Sequence, residues 1–240
     1  MSIVLVIIGL IVGGVLVGRD LISIANTRQI ISTVEQYKTA IWTYQDKYGW
    51  LPGDDPVAYA KFAGGDDTIC GANTNHPHTG CNGNGSSAMD QSGADGRRAW
   101  KHLELAKMNN FSSSGVPWNN GIVIGGNVPS SKEVKGAGWH FQVTSPVCGR
   151  GTGEVPAWLI LGGLGNSLSL VAATNGLTNS IAIPIDRKMD DGVAYSGKVC
   201  THWGWSSPSN YPGCLSGTSP YPYNHDSERN CMMMFDIGLP

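Results

Sequence analysis

The chain has 240 residues, room for one ordinary domain beyond a stalk, and only 14 % of them are charged against about 25 % in typical soluble domains. A formal net charge of −2 removes the electrostatic case for binding nucleic acid or anionic lipid. No Cys-x-x-Cys pair occurs among Cys70, Cys81, Cys148, Cys200, Cys214 and Cys231, which excludes the local signatures of zinc knuckles, thioredoxin-type redox and c-type haem.

The first predicted element is one long helix over residues 1–50. Ser2 to Gly18 carries no charge. Its seventeen residues rise roughly 26 Å, marginally enough to cross a bilayer core, so 2–18 reads as a transmembrane segment. After Arg19 and Asp20 the pattern changes without stopping. Ile30, Val34, Tyr37, Ile41, Tyr44 and Tyr48 recur in steps of three and four, one stripe of an amphipathic helix. Gly49 and Pro52-Gly53 supply the stop. Basic residues follow the span (Arg19, Arg28, Lys38, Lys47) and none precedes it, which by charge alone places the rest of the chain in the cytoplasm. The cysteines argue the other way: an even number, well spaced in a loop-rich chain, reads as up to three disulfides outside the cytoplasm. Of the fifteen full pairings, Cys70–Cys81 is expected first, because it closes a short loop, and Cys231 is expected to be bonded.

Residues 51–240 read as a globular domain. Residues 51–117 form a turn-rich connecting region containing a second helix near Gly96 to Asn109, with Trp100, Leu103 and Ala106 on one face and Arg97, Arg98, Lys101 and Lys107 decorating it. From 118 to 240 the expected strands are Gly121–Ile124, Trp139–Thr144, Ala157–Leu161 and Met232–Ile237, with Ser180–Ile185 open between strand and helix. A helix followed by late strands gives an α+β fold, with an antiparallel sheet covering the helix stripe and loops tied by disulfides. Trp42 and Trp50 are expected to pack under that sheet. Trp203 and Trp205, between Cys200 and Cys214, read as filling a small core rather than binding a sugar.

Chemistry is sparse. No Gly-x-Ser-x-Gly elbow, His-Glu-x-x-His or Walker loop occurs, and no enzymatic activity is expected. Gly163-Leu-Gly165 reads as a turn, and His76 and His78 as exposed polar residues. Asp186, Asp190 and Asp191 with Gly192 have the oxygen chemistry that calcium takes; the plainer reading is a solvated turn capped by Asp side chains, with no cofactor.

Ser2-Ile-Val-Leu-Val-Ile-Ile-Gly9-Leu-Ile resembles the hydrophobic start of type IV pilins and of their type II secretion relatives, the pseudopilins. Two further stretches are similar to members with large globular domains: Tyr44 to Pro56, where the helix ends in a Pro-Gly-Asp turn, and Ile185 to Gly192 followed by Ser196-Gly197. In the family a glutamate precedes the apolar run, and here it falls immediately before Met1, so the resemblance implies either an unusual subunit or, more economically, a mature start upstream of Met1. The missing basic leader then also removes the charge contradiction.

The resemblance implies a pilin fold and a filament subunit. Such a subunit is anchored in the bacterial inner membrane before assembly and exported as an extracellular filament with itself as partner, aided by a pilus or secretion machinery. It assigns the filament core to Ile3, Val4, Leu5, Val6, Ile7, Ile8, Gly9, Leu10, Ile11, Gly13 and Gly14. Some pseudopilins carry calcium in the general region of Asp186 to Asp191. Val17 stands where many pilins have a kinking proline; Gly9, Gly13, Gly14 and Gly18 permit either local melting or close helix packing. A pilin, a pseudopilin or minor tip subunit, and a membrane-anchored enzyme or sugar-binding domain are the three functional expectations.

Overall fold

A computed structural model describes residues 2–63, 81–86, 94–113, 121–143, 148, 157–163, 177–202, 215, 223 and 231–238. Among these, the elements in chain order are α1 (Ser2–Tyr48), a π-helical turn (Tyr59–Ala63), α2 (Ala94–Leu105), β1 (Gly138–Val143), β2 (Ala157–Gly162), α3 (Asn179–Met189), β3 (Val199–His202) and β4 (Met232–Asp236). The arrangement is α+β: a long apolar N-terminal helix beside a small antiparallel sheet.

α1 runs unbroken for 47 residues, about 70 Å at the helical rise. It ends where Gly49 takes a φ of 75° and donates its N–H to Gln45 O at 2.8 Å, a left-handed terminus that a side chain would strain. The stripe read from the sequence is the buried face. Ile30, Val34, Ile41 and Tyr44 are fully enclosed, and Tyr37 and Tyr48 pack half-buried beside them.

The sheet has the order β1-β2-β4-β3, every pair antiparallel. Phe141, Leu159, Phe235 and Val199 align in one row across it, and Trp139, Leu161 and Met233 in the next. These rows join the α1 stripe, Trp100 and Leu103 of α2, and Ala182 and Ile185 of α3 in one core. The opposite face is buried too, with Trp158, Ile160, Met232, Met234, Cys148 and Cys200 packed together. Burial on both sides explains why Ala157–Leu161 and Met232–Phe235 are continuous apolar runs rather than alternating ones. Phe235→Ala is expected to cost about 3–5 kcal/mol, read from urea denaturation of the full chain in detergent.

A disulfide links Cys148 to Cys200, with Cα atoms 6.1 Å apart. Cys81 and Cys231 are also disulfide-bonded, to partners outside the described residues. Cys70 lies outside them, as do Cys214, His76, His78, Trp203, Trp205 and Gly165.

Several expectations need correction. Gly121–Ile124 forms no strand: Ile124 only bridges Val128 across a turn at 125–127, and Asn127 accepts from Val123 N–H and donates to Gly121 O, each at 2.8 Å, rolling the segment back. Arg97 and Arg98 do not decorate α2 but are buried in it. Gly96 makes this close packing possible: a Cβ there would overlap the Phe141 carbonyl on the β1 edge. Ser180–Ile185 belongs to a helix, and β3 went unread because a four-residue edge strand carries no period. Trp42 lies outside the sheet's cover, 37 % exposed, with its indole N–H donating to Ile237 O at 2.9 Å. Trp42→Phe removes that tie and is expected to cost about 1 kcal/mol in the same assay.

Candidate functional site

The largest unsatisfied feature of the structure is the first half of α1. Ile3, Val4, Leu5, Val6, Ile7, Ile8, Leu10, Ile11 and Val12 are each between 52 and 75 % exposed, and Val15, Leu16 and Val17 continue the series. Successive residues point about 100° apart, so this exposure covers every side of the helix. At Gly9, Gly13 and Gly14 nothing approaches within 4 Å of where a Cβ would stand. An apolar surface of this extent is not stable in water and requires a cover. The helix is long and apolar enough to cross a membrane.

A membrane span would account for only its charge-free part. Arg19 and Asp20 are both exposed and mark the edge of the charge-free stretch. Leu21, Ile22 and Ile24 follow them, still 45 to 63 % exposed. Burial by the chain's own domain begins at Thr27 and is complete at Ile30. The helix thus passes from an uncovered apolar rod into one covered along its apolar stripe with no break in its helical course.

What fastens the domain to the covered end is a buried polar hub that the sequence did not announce. Tyr44 OH donates to Asp55 Oδ2 at 2.9 Å, and Lys61 Nζ meets the same oxygen at 2.7 Å. His102, fully enclosed on α2, accepts from Gly53 N–H through Nδ1 at 2.9 Å, which leaves the ring proton on Nε2 to reach Cys81 O at 2.6 Å. Arg98 donates to Asp95 at 2.7 Å and to Gly53 O at 3.1 Å. The hub therefore joins α1, the Pro-Gly-Asp turn, α2 and the Cys81 segment. Burial lowers the His102 imidazole to about 4, with the Arg98 charge adding to the effect and the hydrogen bond to Cys81 O opposing it. Burial, then the Asp55 charge, holds the Tyr44 phenol far above its ordinary range. His140 on β1, buried and facing Arg97, is pushed down to about 3. Together these groups fasten the four segments to one another.

The three acidic residues at the end of α3 do come together, with ligand-type oxygens within 4.8 Å of one another. Five of their six carboxylate oxygens already accept hydrogen bonds. Asp186 takes Gly192 N–H and Tyr223 OH, Asp191 takes Val193 N–H and Ser196 OH, and Asp190 takes the amides of Lys198 and Val199. A calcium site gathers six to eight oxygens around one point. Here the neighbours turned toward the carboxylates are N–H and O–H donors, which accounts for the cluster as a capped turn leading into β3. Burial raises Asp186 to about 6, with Asp191 and Asp190 adding to it against the hydrogen bonds from Tyr223 and Gly192.

A groove of about 810 Å³ runs along α1 between Ser32, Gln36 and Thr43 on one side and Asn109, Phe111 and Ser130 on the other. Its lining combines hydroxyls and amides with the charged side chains of Glu35, Lys107, Lys132 and Glu133. Compared with protein-family models, curated proteins and solved structures, the chain matches none.

Proposed function

We propose that this chain is a structural subunit of a type IV pilus-like extracellular filament, with a pilin fold and no catalytic role. The observation that carries the reading is the two-part helix: one continuous α1 whose first half is apolar and uncovered on all sides and whose second half has its apolar stripe covered by the domain. Before assembly, lipid covers Ile3 to Val17. In the filament the same residues of neighbouring copies cover one another, and Leu21, Ile22 and Ile24, which lie past Arg19 and Asp20, gain the cover that lipid does not give them. The glycines at 9, 13, 14 and 18 allow close helix approach. The resemblance of Ser2 to Ile11 to pilin starts supports the same reading.

A membrane-anchored enzyme or binding domain calls for a helix ending near Asp20, whereas α1 continues to Tyr48 without interruption. A pseudopilin or minor tip subunit shares the architecture of a pilin and differs in abundance. Electron microscopy of material sheared from the cell surface, with mass spectrometry of its subunits, tests the proposal. The chain is expected as a major component of thin filaments. Recovery only in the membrane fraction contradicts the filament reading, and a trace amount within filaments of another subunit indicates a tip role.

A further inference from the structure

Four Asn-Gly dipeptides occur in the chain, at Asn82-Gly83, Asn84-Gly85, Asn120-Gly121 and Asn175-Gly176. In such a pair the glycine amide nitrogen, unshielded by a side chain, is able to attack the asparagine carboxamide carbon. The bond formed is glycine N to asparagine Cγ; the Cγ–Nδ2 bond breaks and ammonia leaves. Water then opens the succinimide ring to aspartate or isoaspartate. The reaction needs no catalyst, but it needs the glycine nitrogen free to turn toward Cγ.

In the 81–86 segment both nitrogens are engaged elsewhere. Gly83 N–H donates to Asp55 O at 2.8 Å, and Gly85 N–H to Asp54 O at 3.1 Å. The side chains are held as well: Asn82 Oδ1 accepts from Tyr59 N–H at 2.8 Å, and Asn84 Oδ1 from Ser86 N–H at 3.0 Å. The segment is anchored at its start by Cys81 O on His102 Nε2. It therefore lies as a strap over the Pro-Gly-Asp turn, pinned at both attacking atoms, while Asn84 itself is exposed to water.

We propose that Asn82 and Asn84 are a deamidation site gated by the fold: intact while the strap is seated, and converted irreversibly once it lifts. Conversion also prevents reseating. Each event adds a negative charge beside Asp54 and Asp55, both fully buried. Isoaspartate further inserts one methylene into a backbone held at Gly83 and Gly85, whose hydrogen bonds then fall out of register. A subunit that has once opened at the strap is thereby marked, through water alone, as unable to close again.

The test uses the full chain in detergent at pH 8 and 37 °C, with peptide mass spectrometry reading the gain of about one dalton at each asparagine. Native wild type, wild type in urea with reductant, and native His102→Ala are compared. Asn82 and Asn84 are expected to react at least about tenfold more slowly in the native chain than in the denatured one. His102→Ala, which releases Cys81 O, is expected to accelerate these two positions. Should that variant prove unfolded by circular dichroism, wild type in graded urea replaces it, with the rate tracking the loss of folded chain. Equal rates in native and denatured chain overturn the proposal, as does a failure of both positions to react when denatured.

Discussion

Lowering the pH from 7 to 4 is expected to destabilise the folded domain by about 3 kcal/mol. Two buried histidines cause the loss; the His102 imidazole is held neutral in the fold down to about 4 but takes its proton near 6.5 when unfolded. Between these values the unfolded chain binds more protons, so stability rises with pH through the window and is lost as pH falls through it. A shift of 6.5 to about 4 corresponds to roughly 3 kcal/mol. His140, held neutral to about 3, contributes a loss at least as large and extends it to lower pH. Asp186 works in the opposite sense. Its folded value is raised to about 6, so its contribution is present below the unfolded carboxylate range and fades as pH rises through 6. Two histidines against one carboxylate leave a net acid loss.

Urea denaturation at pH 7, 6, 5 and 4 measures the effect. His102→Ala leaves Gly53 N–H and Cys81 O without their partner and is expected to cost about 2–4 kcal/mol at pH 7, while flattening the acid limb. An unchanged pH slope in that variant would contradict the share of the limb assigned to His102.

Removing residues 1–24 is expected to abolish self-association completely while leaving the domain folded. Every large apolar side chain removed from Ile3 onward is exposed, whereas Thr27, Ile30 and Val34, which begin the core, are retained. The deletion therefore takes away a surface that stabilises the assembly and almost nothing that stabilises the subunit. The thermal midpoint is expected within about 3 °C of the full chain in detergent, since surface changes of this kind stay near 0.5 kcal/mol. The truncated chain is expected to be soluble without detergent and monomeric in analytical ultracentrifugation. A midpoint lower by ten degrees or more would show that the stalk stabilises the domain. A smaller perturbation, Ile8→Asp, places a carboxylate where the helix is meant to be covered; it costs about 2.5–3.5 kcal/mol in lipid and is expected to stop assembly.

The long helix was readable because two periodicities sit end to end: a charge-free run, then apolar residues in steps of three and four from Ile30 to Tyr48. Two strands, at Trp139 and Ala157, and the one beginning at Met232 were readable as apolar stretches between turns. His102 was not, since its partners Gly53 and Cys81 are distant in sequence and a lone histidine on a helix gives no sign of its surroundings. Arg98 was misread for a related reason. Charge suggests a surface, but Asp95 three residues earlier and the Gly53 carbonyl allow it to be buried. Gly121–Ile124 had the composition of a strand; what folded it back was the side chain of Asn127, a local contact that periodicity does not reveal. The acidic residues at 186, 190 and 191 were correctly placed near one another by sequence, yet their hydrogen bonds to the turn before β3 depend on a path that spacing does not reveal.

The central claim is that copies of this chain cover one another along the exposed stalk. Photo-crosslinking from a reactive amino acid placed at Ile11, on cells bearing surface filaments, tests it directly. The account predicts a ladder of covalent multimers containing only this chain, with the crosslinked partner peptide lying within residues 2–24. Crosslinks confined to lipid, or to a different protein in the membrane fraction, would contradict it.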